Sequence, residues 1–450
     1  MKKKTKPERI RGLGDGLIVR RSSPQDAPAL QAFNAKIHSE LGQNEPDERV
    51  GVWTRDLLEK PHPTFSPNDF TIVEDTHSGK IVSSLNLIPQ TWTYAGIPFG
   101  VGRVELVGTL PEYRKRGLVR AQFEEIHKWS QQRGHQAQMI TGIPYYYRLF
   151  GYEMALNLGG GRTGYKPDVP KLNDDEQEPF NLRPAEVRDL GFISELYNAG
   201  QSRYLVGCVR DEELWRYELN GKSYKNVNRD ELRIIESTQG QPVGFLAHPF
   251  FLWGEKLSAT WFEVAPQISW AAVTPSVVRY LYATGEAYAQ QEQKQDQFGA
   301  FGFALGAEHP VYQVLQERLP KRRKPYAWYV RVPDLPGFLR HITPVLEQRL
   351  AESVLRAHSG ELKITFYRSG LRMEFKQGRL ATVEEWQPHP QGHSGDAAFP
   401  DLTFLQLVFG YRSLEELDYA FPDCWYENEQ VFTLLEALFP KQNSDVWGIT

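Results

Sequence analysis

The chain has 450 residues, of which 40% are hydrophobic, 24% charged and 12% aromatic, a composition typical of soluble globular proteins and not of fibrous or disordered ones. The formal net charge of −4 gives no overall basic field of the kind that binds nucleic acid, and no apolar run reaches the roughly 20 residues needed to cross a membrane. The two cysteines, Cys208 and Cys424, lie far apart and form no metal or redox motif, which indicates buried thiols in a reducing cytoplasm.

The first residues, MKKKTKPERIR, are the only strongly basic segment. We interpret residues 1–16 as a basic, disordered and solvated tail, with a membrane-binding or nucleic-acid-binding arm as the alternative. No apolar run follows this segment, so it does not have the pattern of a signal peptide. At roughly 150 residues per domain, the length of the chain predicts two to four domains.

Residues 17–164 have the pattern of alternating strands and helices. LIVRRSSPQDAPALQAFNAKIH predicts a short strand and then a helix, whose start is marked by the polar SSPQD segment. FTIVED and KIVSSLNLIPQTWTYAGIPF predict strands with turns at Ser78-Gly79 and Ala95-Gly96. AQMITGI predicts another buried strand, and PYYYRLFGYEMA predicts a short helix and a last strand.

The stretch VELVGTLPEYRKRGLVR, residues 104–120, predicts a strand, a basic loop and a helix that begins at Gly117. The N–H groups of a first helical turn have no intrahelical partner and lie at the positive end of the helix dipole, so they can bind a phosphate. Arg114, Lys115 and Arg116 add three positive charges, and Gly117 has no Cβ to hold a pyrophosphate away. The alternative is a solvated basic helix start with no ligand.

This stretch closely resembles the acetyl-CoA loop of the GNAT N-acetyltransferases, in which Arg/Gln-x-x-Gly-x-Gly/Ala follows a strand. Arg114 and Gly117 match the first two fixed positions, and Val119 stands where many members carry Gly or Ala. In the family the pantetheine arm lies between two splayed central strands, here near residues 105–109 and 138–142, and is hydrogen-bonded like an added strand. The resemblance implies acetyl-CoA as co-substrate and no metal. The residues it assigns to acetyl-CoA are Val107, Thr109, Arg114, Lys115, Arg116, Gly117, Leu118 and Gly142.

The segment YYYRLFGY carries a second match to the same family. Tyr147, Gly151 and Tyr152 fit its Tyr-x-x-x-Gly-Phe/Tyr pattern. The resemblance implies that Tyr147 protonates the leaving thiolate, and a phenol suits this task because its ordinary pKa of about 10 lies near that of an alkyl thiol. The alternative is that the three consecutive tyrosines form an aromatic cluster in the core.

Residues 165–180 form a linker rich in Pro, Asp and Glu, and residues 181–328 then repeat the order of the first block. FNLRPAEVRDLGFISELYNA resembles the opening strand and helix of that block, and Tyr312 takes the place of Tyr147. The basic glycine loop is missing, because TPSVVRY stands where the first block has RKRG. We expect a degenerate GNAT-like domain at residues 181–328, without an acetyl-CoA site, that packs against the GNAT domain at residues 17–168 and walls the acceptor pocket.

Residues 329–450 form a third block. LPGFLRHITPVLEQRLAES predicts one amphipathic helix, and ELKITFYRSG, LRMEFKQG and RLATVEEW predict three strands. DLTFLQLVFG and SLEELDYAF predict two helices, with a capping box at Ser413 and Glu416. This order is similar to that of a sterol-carrier-like domain. The predicted fold class is therefore α/β (α+β), with two tandem GNAT-like mixed sheets followed by a smaller α+β domain.

Together the three blocks resemble the Eis-like (enhanced intracellular survival) acetyltransferases over nearly the whole chain. This resemblance implies transfer of an acetyl group from acetyl-CoA to a primary amine of a small molecule by direct attack, with aminoglycosides and polyamines as candidate acceptors. It also implies a cytoplasmic homo-oligomer, because hexamers are frequent in the family.

Two residues are candidates for the base that accepts the amine proton. In the Eis-like family the C-terminal carboxylate enters the site, which here would be that of Thr450, although the ending DVWGIT matches no family tail clearly. Glu105 is the other candidate, because it lies two residues before Val107 on the central strand and alternation would put both on one face. The alternative is that Glu105 has no catalytic role and is a surface or interface carboxylate at a strand end.

A second function remains open from the sequence, namely a non-catalytic CoA-binding or small-ligand-binding protein on a GNAT scaffold. His389 and His393 have a spacing that suits a metal site on a helix, but the Pro and Gly residues around them forbid that helix and predict a flexible loop. We expect a small-molecule amine as partner, and neither nucleic acid nor a membrane.

Overall fold

The structure is a computed structural model that describes residues 9–40, 42, 44–173, 175–389 and 395–450. The first eight residues of the predicted basic tail lie outside the described residues, and so does His393 of the predicted loop. The rest of that tail differs from the prediction, because Arg9–Gly14 forms a strand that pairs with Leu17–Arg21. No helix in the described part of the chain is long and apolar enough to cross a membrane.

The first unit contains a mixed sheet, as predicted, and has helices on both faces of it. Its strands are β1 Arg9–Gly14, β2 Leu17–Arg21, β3 Phe70–Asp75, β4 Lys80–Tyr94, β5 Ile97–Thr109, β6 Ala137–Ile140 and β7 Glu153–Leu158. Its helices are α1 Ala27–Ile37, α2 Glu48–Glu59 and α3 Leu118–Gln132. The hairpin between β4 and β5 turns at Ala95 and Gly96, both with positive φ, where the sequence predicts a turn.

The second unit repeats this order. Its strands are β8 Gly161–Tyr165, β9 Phe180–Pro184, β10 Val206–Cys208, β11 Asp230–Ser237, β12 Pro242–Pro249, β13 Lys256–Ala259, β14 Trp261–Val264, β15 Ala300–Phe303, β16 Lys321–Arg323 and β17 Tyr326–Arg331. Its helices are α4 Leu190–Gln201, α5 Glu212–Asn220, α6 Trp270–Gln291 and α7 Pro310–Leu315. Helix α6 begins five residues before the predicted PSVVRY segment and keeps Pro275 in its first turns.

A repeated ion-pair pattern ties the opening strand and helix together in both units. In the first unit, Arg20 donates to both carboxylate oxygens of Asp26 and to Glu74. In the second unit, Arg183 makes the same bonds to Asp189 and Glu236. The spacing of six residues between the Arg and the Asp is identical, so the similarity seen in the sequence extends to side-chain contacts.

The third unit contains the strands β18 Gly360–Thr365, β19 Gly370–Lys376, β20 Arg379–Trp386, β21 Ala397–Ala398 and β22 Trp425–Tyr426. Its helices are α8 Leu335–His341, α9 Thr343–Glu352, α10 Phe404–Val408, α11 Leu414–Ala420 and α12 Glu429–Leu438. The three predicted strands and the capping box of Ser413 and Glu416 are confirmed. The single helix predicted across residues 335–353 is wrong. It breaks at Ile342, since Pro344 follows without an N–H to continue the α8 ladder.

The first two units exchange strands. The first sheet has the order β1-β2-β3-β4-β5-β6-β17-β7, with β10 paired to β4, so β17 of the second unit lies between β6 and β7 of the first. In return, β8 leaves the first block and pairs with β15 and β16 in the order β13-β15-β8-β16. The remaining strands of the second unit form the sheet β14-β12-β11-β9. The boundaries predicted near residues 165–180 and at residue 329 therefore do not separate independent sheets.

The largest hydrophobic core joins the first and third units. It contains Trp92, Val101 and Trp328 of the first sheet together with Phe338 and Phe409 of the third unit. Two further cores fill the faces of the first sheet, one under α1 and α2 and one under α3. The α3 core is the one that supports the site described next.

Candidate active site

Strands β5 and β6 separate after a short parallel contact. They pair only at residues 101–103 with 137–139, although β5 continues to Thr109. Leu106 has φ +53° and lies in a bulge opposite β4, where the register shifts between Ser84 and Asn86. A wedge-shaped gap therefore opens between residues 105–109 of β5 and the end of β6.

The bulge also changes which side chains share a face of β5. Leu106 packs in the core under α1 and α2, while Val104 and Val107 belong to the core under α3. The prediction that Glu105 and Val107 share one face is therefore wrong. Alternation holds only for a regular strand, and the extra residue of the bulge inverts it at Leu106.

The start of helix α3 lies at one end of the gap. Gly117 is the N-cap residue and has φ +74°, a conformation that glycine adopts without strain. A Cβ on Gly117 would contact nothing within 4 Å, so the backbone conformation, and not crowding, requires glycine here. Arg114 is exposed and donates weakly to the Thr109 carbonyl, and Arg116 makes an exposed ion pair with Asp15. The loop thus carries cations that retain access to a ligand.

The gap and the helix start form one cavity of about 840 Å³, which we call the splay cavity. Its walls contain ten of the eleven residues predicted for the site, namely Glu105, Val107, Thr109, Arg114, Lys115, Arg116, Gly117, Leu118, Gly142 and Tyr147. The remaining one, Thr450, lies outside these walls and lines a second cavity. The structure thus gathers residues from four separate elements of the first unit into one pocket.

Tyr147 is buried in an aromatic cluster and still borders the splay cavity. It is 3% exposed and packs edge-to-face against Tyr146 and Tyr329 at 5.3 and 5.4 Å between ring centroids. Its hydroxyl makes no hydrogen bond among the described residues, and a Cβ placed on Gly142 would lie 3.7 Å from it. Burial raises the pKa of Tyr147, and the negative charge of Glu105 raises it further, so the phenol stays protonated at neutral pH.

The exchanged strand β17 fixes the loop that carries these tyrosines. Tyr326 donates a hydrogen bond to the Gly142 carbonyl at 3.1 Å. The Tyr329 hydroxyl accepts from the Tyr145 N–H at 2.6 Å and donates to the Ile143 carbonyl at 3.3 Å. Sequence reasoning missed both residues, because they stand about 180 residues away in the chain, at a predicted domain boundary. No local pattern near Tyr326 points to the site.

Glu105 is a half-buried carboxylate that is connected to the C-terminal segment. Arg103 donates to the Glu105 carboxylate through Nε at 2.9 Å and to the Ile449 carbonyl through Nη1 at 2.8 Å. Gln90 also donates to the Ile449 carbonyl, at 2.7 Å. Thr450 itself accepts hydrogen bonds from His62 and from the Tyr217 hydroxyl, both at 3.3 Å. The end of the chain therefore contacts the first unit through both Ile449 and Thr450, and Arg103 bridges Ile449 and Glu105.

Two further residues of the splay cavity escaped the sequence reasoning, His38 at the end of α1 and Trp53 on α2. The Nε2 atom of His38 and the Nε1 atom of Trp53 are buried without a hydrogen-bond partner among the described residues. Burial lowers the pKa of His38, whereas the charge of Glu105 and the Leu106 carbonyl act in the opposite direction. A neutral imidazole and an indole N–H thus belong to residues of the cavity walls and have no partner among the described residues.

Among the described residues, the matching position of the second unit is arranged differently. Tyr312 occupies the place of Tyr147, but its hydroxyl lies within 3.1 to 3.3 Å of the Phe303 carbonyl, the Leu305 N–H and the Gly306 carbonyl. A cavity of about 20 Å³ is lined by Leu305 and His309 together with Asp445 and Trp447 of the C-terminal segment. Helix α6 begins at Trp270 without glycine or a basic residue in its first turn.

Comparisons with known proteins agree with this geometry. Residues 30–155 match the family model of the acetyltransferase (GNAT) domain. No curated protein matches the sequence. The structure is similar to that of a GCN5-related N-acetyltransferase from Kribbella flavida, with a TM-score of 0.63 at 16% identity over 97% of this chain and 99% of that one.

Two other solved structures share the fold. A GCN5-related N-acetyltransferase from Anabaena variabilis has a TM-score of 0.62 at 12% identity, over 96% of this chain and 99% of that one. Eis1 from Mycobacterium abscessus has a TM-score of 0.56 at 12% identity, over 95% of this chain and 98% of that one. These likenesses extend the shared fold beyond the matched domain to almost the full chain. Residues 30–155 are thus an acetyltransferase (GNAT) domain, and almost the whole chain shares the fold of these solved structures.

Proposed function

We propose that the protein is an acetyl-CoA-dependent N-acetyltransferase that acetylates a primary amine of a small molecule. The observation that carries this proposal is the splay cavity, which has a basic helix start at one end and the unbonded Tyr147 hydroxyl within its walls. A cofactor with a pyrophosphate and an extended arm needs these two features in one continuous space.

The residues of the splay cavity fit acetyl-CoA. The N–H groups of Leu118, Val119 and Arg120 lie in the first turn of α3 and have no intrahelical acceptor, so they are free for phosphate oxygens. Arg114, Lys115, Arg116 and Arg120 line the cavity there as well. Beyond the bulge, strand β5 has lost β6 as its neighbour and can accept an amide-bearing arm as an added strand. When bound, the cofactor supplies a thioester carbonyl for direct attack by the amine.

The reaction requires an acid that protonates the leaving thiolate and a base that accepts a proton from the attacking amine. Tyr147 serves as the acid, because its raised pKa keeps the phenol protonated and its hydroxyl has no competing partner among the described residues. Glu105 serves as the base, since it is the carboxylate in the described walls of the cavity and Arg103 holds it in place. The unpartnered His38 Nε2 accepts an N–H of the acceptor amine and orients it.

The acceptor that suits this pocket is a compact monoamine with an apolar body. Ile37, Val50 and Trp53 line the end of the cavity near His38, and Glu105 supplies the negative charge among the described wall residues. A polycationic acceptor, such as an aminoglycoside or a polyamine, calls for several converging carboxylates. The described walls therefore favour a single amine beside an aromatic or aliphatic group.

Calorimetric titration with acetyl-CoA tests the cofactor assignment. The wild type should bind with micromolar affinity, and the double variant Arg114→Glu, Gly117→Glu should not, because it places two negative charges at the helix start. The double variant Arg188→Glu, Gly191→Glu at the start of α4 is a matched control and should bind as the wild type does. Failure of the wild type to bind acetyl-CoA would refute the proposed function.

The competing function is a CoA-binding or small-ligand-binding protein without turnover. Release of free thiol in the presence of a panel of monoamines separates the two, because a binding protein would take up acetyl-CoA and release none. We also propose a homo-oligomer in the cytoplasm, to be checked by sedimentation and fractionation, and a sterol-carrier-like fold for residues 329–450.

A further inference from the structure

A second cavity, of about 330 Å³, lies between the second unit and the C-terminal segment. We call it the tail cavity. Its walls contain the cations Arg162, Lys256 and Arg323 and, in addition, Arg210, Asn228 and Trp447. No described residue lines both this cavity and the splay cavity. Its size is that of small-molecule pockets, which begin near roughly 300 Å³.

Three of its cations have no carboxylate partner among the described residues. Lys256 donates to the Thr163 hydroxyl at 3.0 Å, Arg323 donates to the Gly160 carbonyl at 3.4 Å, and Arg162 lies over the Tyr312 ring at 4.5 Å. The strand exchange brings them together, because β8 carries Arg162 into the sheet that also contains β13 with Lys256 and β16 with Arg323. Like charges held this close repel one another unless an anion joins them.

Burial and this repulsion both lower the pKa values of two of these side chains. Burial lowers the pKa of Lys256, and the positive charges of Arg323 and Lys321 lower it further. Burial also lowers the pKa of Arg162, with a further contribution from Arg322. A bound anion would reverse both effects by favouring the charged forms.

Other residues of the cavity walls have buried N–H donors without acceptors among the described residues. Arg210 is 2% exposed, and its Nη1 and Nη2 atoms bond Glu218 and the Trp447 carbonyl, but its Nε has no partner. The Asn228 Nδ2 and Trp447 Nε1 atoms are also buried and unpartnered among the described residues. A buried donor without an acceptor costs free energy, so such atoms indicate a missing acceptor.

The carboxylates of the tail cavity are already engaged. Glu218 is bound by Arg210 and Lys222, and Asp230 accepts a hydrogen bond from the Thr260 hydroxyl at 2.8 Å. The carboxyl-terminal Thr450 accepts from His62 and Tyr217. The cations without a carboxylate partner and the unpartnered donors therefore favour a ligand with a negative charge. Trp253, Trp261 and Phe303 provide apolar walls.

We propose that the tail cavity is a second ligand site, which binds a small organic anion by its phosphate or carboxylate group. Arg162, Lys256 and Arg323 bind the oxyanion, and the aromatic side chains contact the organic part of the ligand. The site is separate from the proposed acetyl-CoA site and does not depend on it.

Binding is tested with inorganic phosphate and with citrate. Comparison of the two probes shows whether the site prefers a phosphate group or a carboxylate group. The titrations use the Arg114→Glu, Gly117→Glu background, in which the helix start of the splay cavity no longer attracts anions. Sodium chloride at equal ionic strength corrects for screening. We expect saturable binding of at least one probe and a rise in melting temperature.

Two variants in that background probe the site itself. Arg323→Gln changes an exposed residue, and Lys256→Gln changes a half-buried one, and each should weaken binding of the effective probe at least tenfold. Lys324→Gln, an exposed lysine next in the chain and outside the cavity walls, should leave the affinity unchanged. Equal affinity in the background protein and both site variants, or no saturable binding of either probe, would overturn the proposal.

Discussion

Tyr147 and Tyr312 stand at the same point of the two units but differ in what surrounds their hydroxyls. The Tyr312 hydroxyl has three backbone partners, whereas that of Tyr147 has none among the described residues. We therefore expect Tyr147→Phe to lower kcat by about 10²- to 10⁴-fold, the usual contribution of a general acid, with little change in affinity for acetyl-CoA. Thiol release and calorimetry measure the two quantities.

Tyr312→Phe is the matched control, since it deletes the same hydroxyl in the other unit. It should leave kcat unchanged and lower the free energy of unfolding by about 1–3 kcal/mol, because buried partners lose their hydrogen bond. A Tyr147→Phe variant with wild-type turnover would show that another group protonates the thiolate.

The identity of the base is a second question at the scale of single residues. Glu105 lines the splay cavity, and Thr450 lines the tail cavity. Glu105→Gln keeps the shape of the side chain and the contact with Arg103 but removes the basic oxygen, so kcat should fall by about 10²- to 10⁴-fold. A glycine added after Thr450 displaces the terminal carboxylate and should cost less than about tenfold. The reverse order of these two effects would identify the terminal carboxylate as the base.

The sequence points to the residues whose neighbours along the chain define their role. Arg114 and Gly117 stand in a local motif, and their placement at a helix start follows from helix geometry. His38 and Trp53 carry no such signal, because only the packing of α1 and α2 against β5 brings them to the cavity. The role of Tyr329 is even harder to predict from the sequence, because its contact with Tyr145 exists only through the strand exchange.

At the scale of elements, the same exchange explains why sheets extend across the predicted boundaries. The residue pattern of a strand indicates that residues 326–331 are extended, but it does not indicate which sheet they join. The reciprocal pairing of β8 depends on a close approach at Gly161, which has φ +148° and whose added Cβ would lie 2.2 Å from the Phe303 carbonyl oxygen. Only glycine allows β8 to pair with β15 at this point.

Gly161→Ala should therefore weaken the exchange. We expect the free energy of unfolding to fall by about 1–3 kcal/mol or more, because the new methyl group meets backbone that cannot rotate away. Chemical denaturation followed by tryptophan fluorescence measures the change. Gly191→Ala makes the same substitution in α4, where nothing lies within 4 Å of the added Cβ, and should change stability by less than about 1 kcal/mol. Equal effects of the two variants would contradict the role of Gly161.

At the scale of the whole molecule, the C-terminal segment connects all three units. The Asn443 carbonyl accepts from the Leu205 N–H, and the Val446 carbonyl accepts from the Trp328 indole at 3.2 Å. Gln442 bonds the Gly410 carbonyl in the third unit, and Ile449 bonds Gln90 and Arg103 in the first. A segment without helix or strand thus holds its position by contacts distant in sequence, and its role could not be predicted from its own residues.

Docking of this segment should depend on pH through Asp445. Burial raises the pKa of Asp445 to about 7, while Arg203 acts in the opposite direction, and the Oδ1 atom has no partner among the described residues. A carboxyl group with a raised folded-state pKa binds its proton more tightly in the folded state. Its contribution to stability is therefore largest at low pH and is lost as pH rises from about 4, the unfolded value, through about 7.

Asp445→Asn removes this titration and keeps the size of the side chain. At pH 8 we expect the variant to be more stable than the wild type by about 1–3 kcal/mol, because it buries an amide in place of a carboxylate, and at pH 5 the difference should shrink. Unfolding curves at the two pH values measure it, and Asp175→Asn in an exposed loop should show no pH-dependent difference. If the gain at pH 8 is absent, Asp445 is ionised and accommodated in the folded protein, and the attachment of the segment rests on its backbone hydrogen bonds alone.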